Sequence, residues 1–323
     1  MKKKRVFLTR TLHDFALKEL KKKYQIEIHS GKIPIPRKKL YFKIEEIDGL
    51  ICFPYDVIDS ELIDSAKNLK VISTYSVGFD HIDTEHAKKR KIRVGYTPEV
   101  LTDATADLAF SLMLDVTRRV SEGDRIVRKG DWREIFGAYD YVGTDLQGKT
   151  LGIFGLGRIG SILARRAKSF DMKIIYHNRK HVSRTKEKTL GVKYVSFGKL
   201  ISQSDVISIH VPHTKQTDKL FDKKIFQKMK NSAFLVNTAR GKIINENDLI
   251  AALKKKIIAG AALDVFESEP IGKNHPFTKI QNITLAPHIG SSTKETRVKM
   301  AEITVKNLHL GINGKKPKFS VGY

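Results

Sequence analysis

Apolar residues recur along this chain with two spacings, and the two alternate. Short apolar runs at "RVFLT" (5–9), "QIEIH" (25–29), "DGLICF" (48–53), "KVIST" (70–74) and "KIRVG" (91–95) predict strands. Between them, "DFALKELKKK" and "DSELIDSAKN" carry helical spacing and begin on Asp, a start signal. After Pro98, "EVLTDATADLAFSLMLDVTRRVSEGDRIVRKG" predicts one long helix, suited to a junction between domains. The next segment, "DWREIFGAYDYVGTDLQ", has no regular period and holds Trp132, Phe136, Tyr139 and Tyr141. It reads either as an arm packing on a neighbouring subunit or as a loop folded on its own domain. A second series starts at Lys149. Strands are expected at "KTLGIFG", "KIIYH", "DVISIHVP", "FLVNTAR", "IIAGAALDV" and "ITLAPHIG". Helices are expected at "RIGSILARRAKSF", "NENDLIAALKKK" and the tail from Ser291. Strand–helix alternation in both halves predicts an α/β protein of two parallel-sheet domains.

Composition narrows this only a little. A chain of 323 residues exceeds one typical core, so two domains are the natural expectation. Apolar residues at 41% and charged residues at 29% describe a soluble globular protein, and no apolar run approaches the roughly 18–20 residues of a membrane span. The basic start "MKKKR" leads into "VFL", too short for a signal-peptide core. Cys52 is the only cysteine, which excludes an intrachain disulfide and a cysteine zinc cluster and makes a reducing cytoplasm the simplest setting. The net charge of +25 invites a nucleic-acid reading, but the basic residues are spread over the whole chain without a nucleic-acid-binding signature. A Lys-rich surface, attractive to anionic substrates, accounts for them, and no specific nucleic acid or membrane partner is expected.

The chemistry begins at "LGIFGLGRIG". Gly155, Gly157 and Gly160 form G-x-G-x-x-G between a predicted strand and a predicted helix, the context that dinucleotide binding requires. Gly155 permits the tight turn, Gly157 lets the backbone approach a pyrophosphate, and Gly160 allows close helix–strand packing. Amides at the helix start then face the phosphate charge. An acid that binds the adenosine ribose is expected about 20 residues further on. The position at the end of "KIIYH" is instead Asn178, followed by Arg179 and Lys180. Asn178 can still bond a ribose, and Arg179 can meet a 2′-phosphate with charge-assisted bonds. The missing acid removes the repulsion, so NADP(H) is the expected cofactor, with NAD(H) also usable.

Three segments at the ends of later strands, "VNTARG" (236–241), "LDVFESEP" (263–270) and "APHIGSST" (286–293), offer Arg240, Glu269 and His288. Such a set can reduce a 2-keto acid: an Arg fork binds the carboxylate and polarises the carbonyl, and a protonated His donates to the developing alkoxide. A carboxylate on the other ring nitrogen orients that His and favours its charged form. Each residue alone has a plainer reading, as a surface anchor, a turn cap or one of eleven histidines.

Together with "YSVGFDHID" (75–83) and "TADLAFSLML" (105–114), these motifs stand in the order found in the D-isomer-specific 2-hydroxyacid dehydrogenases, and the chain resembles that family over essentially its whole length. The resemblance implies two Rossmann-like or flavodoxin-like domains with the active site in the cleft between them. Residues 1–100 plus 291–323 would form the substrate domain, residues 101–290 the dinucleotide domain, and about 120–147 an arm through which a homodimer forms. It makes Arg240 the substrate-binding Arg, Glu269 the partner of His288, and His288 the acid/base, with the Val77 and Gly78 amides gripping the substrate carboxylate. It makes Thr105, Leu156, Arg158, Ile159, Val211, Pro212 and Thr217 cofactor contacts beside the glycines and the 178–180 turn. Thr238, Ala239, Arg240, Asp264, His288 and Gly290 join them. Within the family, "TPEVLTDATADLA" and "YHNR" look most like the glyoxylate/hydroxypyruvate reductase and 2-ketogluconate reductase group. Some of those reductases carry a Trp in the arm that reaches the partner's site. Here the stretch reads "AYDYV", with Tyr139 and Tyr141 in its place. The expected product is a D-2-hydroxy acid, and corepressor-type relatives that sense a bound dinucleotide are the non-enzyme alternative.

Overall fold

The computed structural model describes residues 3–322. The chain divides into two compact units, one running up to Leu101 and resuming at Ser291, the other Thr102–Gly290.

In the first unit, β1 (Arg5–Leu8), β2 (Gln25–Ile28), β3 (Gly49–Cys52), β4 (Val71–Thr74) and β5 (Arg93–Gly95) are parallel neighbours in the order 5-4-3-1-2. β3 and β4 are buried at every position, as strands covered on both faces must be. One face carries Phe7, Leu50 and Ile72 into a core with Leu40, Ile44, Leu62 and Ile63. Helices Asp14–Lys23 and Lys294–Ile312 also belong to this unit.

The second unit holds β6 (Thr150–Phe154), β7 (Lys173–His177), β8 (Val192–Tyr194), β9 (Val206–Ile209), β10 (Phe234–Asn237), β11 (Gly260–Leu263) and β12 (Ile283–Leu285). All pair in parallel in the order 12-11-10-9-6-7-8. This is a doubly wound sheet whose strand order reverses between β6 and β9, and ligands of such sheets bind outside the strands' carboxyl ends at that point. Ala106, Met113, Leu163 and Ala167 cover one face, and Phe221, Phe226, Leu249 and Leu253 the other. Antiparallel β13 (Ser320–Val321) pairs with β5 in the first unit.

The expected alternation and the two parallel sheets are borne out. The single long helix expected after Pro98 is two helices, Thr102–Arg118 and Val120–Lys129, broken at Arg119 with φ 59°. Local polar chemistry outweighs the continuous period here. Asp115 Oδ1 accepts from the Ser121 amide (2.7 Å) and hydroxyl (2.8 Å), capping the second helix, while its Oδ2 accepts from Thr284 Oγ1 (2.6 Å). The second helix buries none of its side chains.

Asn307 ties the C-terminal helix to the first sheet. It is fully buried, its Nδ2 donates to the Tyr96 carbonyl (2.9 Å) and its Oδ1 accepts from the Phe319 amide (3.2 Å). Gly95 permits the approach, since a Cβ there would lie 2.7 Å from Asn307 Cβ. Asn307→Ala strands two half-buried backbone groups and is expected to destabilise the first unit by about 1–3 kcal/mol. Native-state hydrogen exchange should show faster opening of β5 with β9 and β10 unchanged.

Candidate active site

The phosphate loop is built as its glycines predict. Gly155 has φ +105°, and a Cβ on it would lie 2.7 Å from the His210 carbonyl carbon. A Cβ on Gly160 would lie 2.5 Å from the Gly155 carbonyl oxygen. Gly157 differs, because nothing in the protein lies within 4 Å of a Cβ there. Packing does not demand that glycine, and its bare backbone leaves room for a ligand. The helix Arg158–Lys168 that begins here has no side-chain cap, so its first-turn amides are positioned for an anion.

The turn after β7 is fixed from two sides. Asn178 Oδ1 accepts from the Leu156 amide (2.7 Å), joining the turn to the glycine loop. The buried Tyr176 hydroxyl donates to Glu187 (2.6 Å) and accepts from the Val182 amide (3.1 Å). Burial, and then Glu187, push that phenol up to about 12, so it keeps its proton. Arg179 and Lys180 are exposed on the turn so formed. Tyr176 is a residue that motif reasoning passed over, since its signal was only one aromatic in a strand.

The ends of β9 to β12 carry the remaining candidates. After β9, the Thr217 hydroxyl donates to the Pro212 carbonyl (2.9 Å) and so shapes the loop that begins at Val211. After β10, buried Asn237 clamps the turn bearing Thr238, Ala239 and Arg240. Its Oδ1 accepts from the Ala239 amide (3.0 Å) and its Nδ2 donates to the Arg240 carbonyl (2.9 Å). Arg240 Nη1 donates to the Ala239 carbonyl (2.8 Å). Thr238 Oγ1 is buried without a hydrogen-bond partner in the protein, which leaves its hydroxyl open to a ligand.

After β11, Asp264 sends both oxygens to consecutive amides, Oδ1 to Ile289 (2.7 Å) and Oδ2 to Gly290 (2.9 Å). Burial raises its carboxyl above the ordinary range, while the Ile289 amide and His288 act the other way. Thr105 Oγ1 donates to the Gly290 carbonyl (3.0 Å), closing the same loop. That loop holds His288 at φ 54°, an uncommon conformation for a residue with a side chain. His288 Nδ1 lies 2.6 Å from Glu269 Oε2, and Glu269 Oε1 accepts from the Phe266 amide (2.9 Å). Their side chains are 27% and 12% exposed, so Nδ1 is bound by a largely shielded carboxylate. Gly241 seats the Arg240 turn on the same segment, because a Cβ there would lie 1.9 Å from the Phe266 carbonyl carbon.

Another histidine at a strand end is unsuited to proton donation. Burial pushes His210 down to about 4, and its Nε2 is engaged with Ser208 Oγ (2.8 Å). A cavity of about 320 Å³ opens among Asp115, Glu122, Arg125 and Asn282, but it lies where β10, β11 and β12 begin, at the opposite edge from these residues. Val77 and Gly78 belong to the first unit, where they follow β4 half-buried.

The residues of the second unit thus fit a nicotinamide dinucleotide. Gly157 leaves room at an uncapped helix start, Thr238 offers an orphaned hydroxyl, and the strand ends present a His–carboxylate pair.

Comparison with known proteins agrees. The family described as "D-isomer specific 2-hydroxyacid dehydrogenase, NAD binding domain" matches residues 110–290, more than half of the chain. A glyoxylate reductase of Thermococcus litoralis is 47% identical, with 98% of this chain and 96% of that one covered. A solved structure of a Thermus thermophilus protein superposes with a TM-score of 0.91 at 42% identity, covering 98% and 99% of the two chains. A glyoxylate/hydroxypyruvate reductase of Sinorhizobium meliloti, NADPH-dependent and solved with NADP and malonate, superposes at 0.86 with 28% identity and 99% and 97% coverage. This chain belongs to the D-isomer-specific 2-hydroxyacid dehydrogenase family and is an NAD(P)-dependent oxidoreductase.

Proposed function

We propose that the protein is an NADPH-preferring reductase of small 2-keto acids that yields D-2-hydroxy acids. Glyoxylate and hydroxypyruvate are the first substrates and 2-ketogluconate the second. The observation that carries the proposal is the 2.6 Å contact of His288 Nδ1 with Glu269, the carboxylate pairing that orients an acid/base imidazole. A bound nicotinamide dinucleotide supplies the hydride. His288 supplies the proton to the carbonyl oxygen, and Glu269 keeps the ring oriented and compensates its charge. Arg240 binds the carboxylate and polarises the carbonyl, and the Val77 and Gly78 amides grip the carboxylate. His210 is excluded as the acid because burial keeps it neutral. The glyoxylate reductase activity of the Thermococcus litoralis relative, and the NADP in the Sinorhizobium meliloti complex, support the choice of substrate and cofactor.

For the cofactor, the argument is one of charge. Asn178 keeps the acceptor that holds Leu156, while Arg179 and Lys180 stand exposed on a turn with no acid. Dimerisation belongs to the same proposal. The helix Val120–Lys129 and the segment after it expose Val127, Trp132, Ile135, Phe136 and Tyr139, with Ile135 and Tyr139 each 94% exposed. Tyr141 is engaged within its own chain, its hydroxyl donating to the Arg119 carbonyl (3.0 Å) and its ring lying under the Arg119 guanidinium. Of the two tyrosines, Tyr139 is therefore the one available to a second copy, beside Trp132 and Phe136.

Three measurements test this reading. His288→Ala should lower kcat with glyoxylate or hydroxypyruvate by about 10²–10⁴-fold, and normal turnover would remove His288 as the acid. Arg179→Asp should reduce the ratio of NADPH to NADH efficiency by about tenfold or more, the worth of one charge-assisted bond. Ile135→Asp combined with Tyr139→Asp should shift sedimentation from dimer to monomer, and an unchanged dimer would place the contact elsewhere.

A further inference from the structure

The loop after β4 is held from behind by a chain of hydrogen bonds that none of the roles above uses. Ser76 Oγ donates to the Gly78 carbonyl (2.6 Å), Ser76 Oγ and Thr74 Oγ1 are 2.7 Å apart, and Thr74 Oγ1 lies 3.0 Å from His81 Nε2. Thr74 and Ser76 are buried. Each hydroxyl has a single hydrogen, which fixes every direction in the chain. The Ser76 hydrogen is committed to Gly78, so Thr74 must donate to Ser76. Thr74 has then spent its hydrogen, so it accepts from His81 Nε2–H. The sequence of donation runs from imidazole to Thr74, to Ser76, to the Gly78 carbonyl.

Both ends of this chain are anchored. The His81 carbonyl accepts from the Ile58 amide (2.8 Å), Ile82 bridges Ile58, and Asp83 caps the helix Thr84–Lys89 through the His86 amide (2.9 Å). On the other flank, Tyr75 donates to the Cys52 carbonyl (2.9 Å) and Thr97 donates to the Ser76 carbonyl (2.8 Å). A trans peptide points its N–H away from its carbonyl. Holding the Ser76 carbonyl therefore aims the Val77 amide the opposite way. Holding the Gly78 carbonyl removes the torsional freedom that a glycine otherwise keeps. Among the described residues, neither the Val77 nor the Gly78 amide donates to a protein acceptor.

We propose that His81 is a positioning residue for the substrate carboxylate, acting through Thr74 and Ser76 to present the Val77 and Gly78 amides in a fixed orientation. This rests on the carboxylate-gripping role given to those amides under the proposed function. Pre-ordering donors before the ligand arrives lowers the cost of binding, so the effect belongs in KM. The imidazole need only carry hydrogen on Nε2, and it does so in one neutral tautomer as well as in the charged form.

The test compares His81→Leu, which cannot donate, with His81→Gln, whose amide can. His81→Leu should raise KM for glyoxylate about threefold to tenfold, the worth of one net hydrogen bond, with kcat and NADPH affinity held within about twofold. Hydrogen exchange at Thr97 and Ile82, whose amides donate to the Ser76 (2.8 Å) and Phe79 (3.0 Å) carbonyls of the loop, should accelerate in the same variant, and His81→Gln should restore both readings. Ser76→Ala should match His81→Leu, and the double variant should be no worse than either alone. Additive losses, unrestored values in His81→Gln, or unchanged exchange at Thr97 and Ile82 would overturn the relay. The exchange arm reads the loop directly, so it decides the relay even if the wild type reduces no 2-keto acid and the proposed function fails. Accelerated exchange with an unmoved KM would show that the loop does not grip the carboxylate, which removes the substrate role of His81 as well.

Discussion

The site depends on a buried carboxylate that binds two consecutive amides. Asp264, at the end of β11, accepts from Ile289 and Gly290, and so determines where the chain goes after β12. His288 immediately precedes those amides and is held with positive φ, a conformation that costs about 1–3 kcal/mol and needs such over-determination. A parallel sheet makes this device necessary. It delivers every strand's carboxyl end to one edge, but the loops leaving that edge have no ladder to define them. Asn178, Asn237 and Thr217 repeat the solution at β7, β10 and β9, each using a side chain to satisfy backbone groups nearby.

This explains which parts of the molecule could be read from the chain. Strands buried on both faces announce themselves as apolar runs, so β6, β9 and β10 and their parallel pairing were legible. So was the glycine loop, where the sequence spells out a backbone need. The short helices Arg37–Ile44 and Arg184–Leu190 and the two-residue β13 were not, because each is too short to establish a period. The break at Arg119 was missed for a different reason. Apolar spacing runs straight through it, and only the contact of Asp115 with Ser121 reveals the change of direction. Within the site, Arg240, Glu269 and His288 were visible as types of chemistry. Asn237, Tyr176 and the pinning role of Asp264 were hidden, since a clamp is defined by what it touches.

The turn after β7 shows how structure sharpens a sequence argument. Asn178 was of interest because it is not an acid, but its oxygen is occupied by the Leu156 amide. An aspartate could accept that bond equally well. The loop therefore gives no reason to prefer Asn, and the remaining difference between the two residues is a negative charge. Where that charge is absent and Arg179 and Lys180 are exposed, an additional phosphate meets attraction instead of repulsion. The inference to NADPH thus rests on an isosteric comparison at one position and not on the abundance of basic residues.

That abundance has a separate consequence. A net charge of +25 sets up a field that draws in anions of every kind, but at physiological ionic strength the field of exposed charges fades over about 8 Å. It can speed encounter with keto acids and dinucleotides alike, and it cannot choose among them. Discrimination has to come from groups that are shielded and fixed in direction. The Glu269–His288 pair is largely shielded, Thr238 is buried, and the Val77 and Gly78 amides are aimed by bonds on their far side. In the proposed function these groups select by orientation, which Lys-rich surfaces lack. Substitutions among exposed lysines should therefore alter salt dependence and association rate, whereas those in the clamps should alter which anion is accepted.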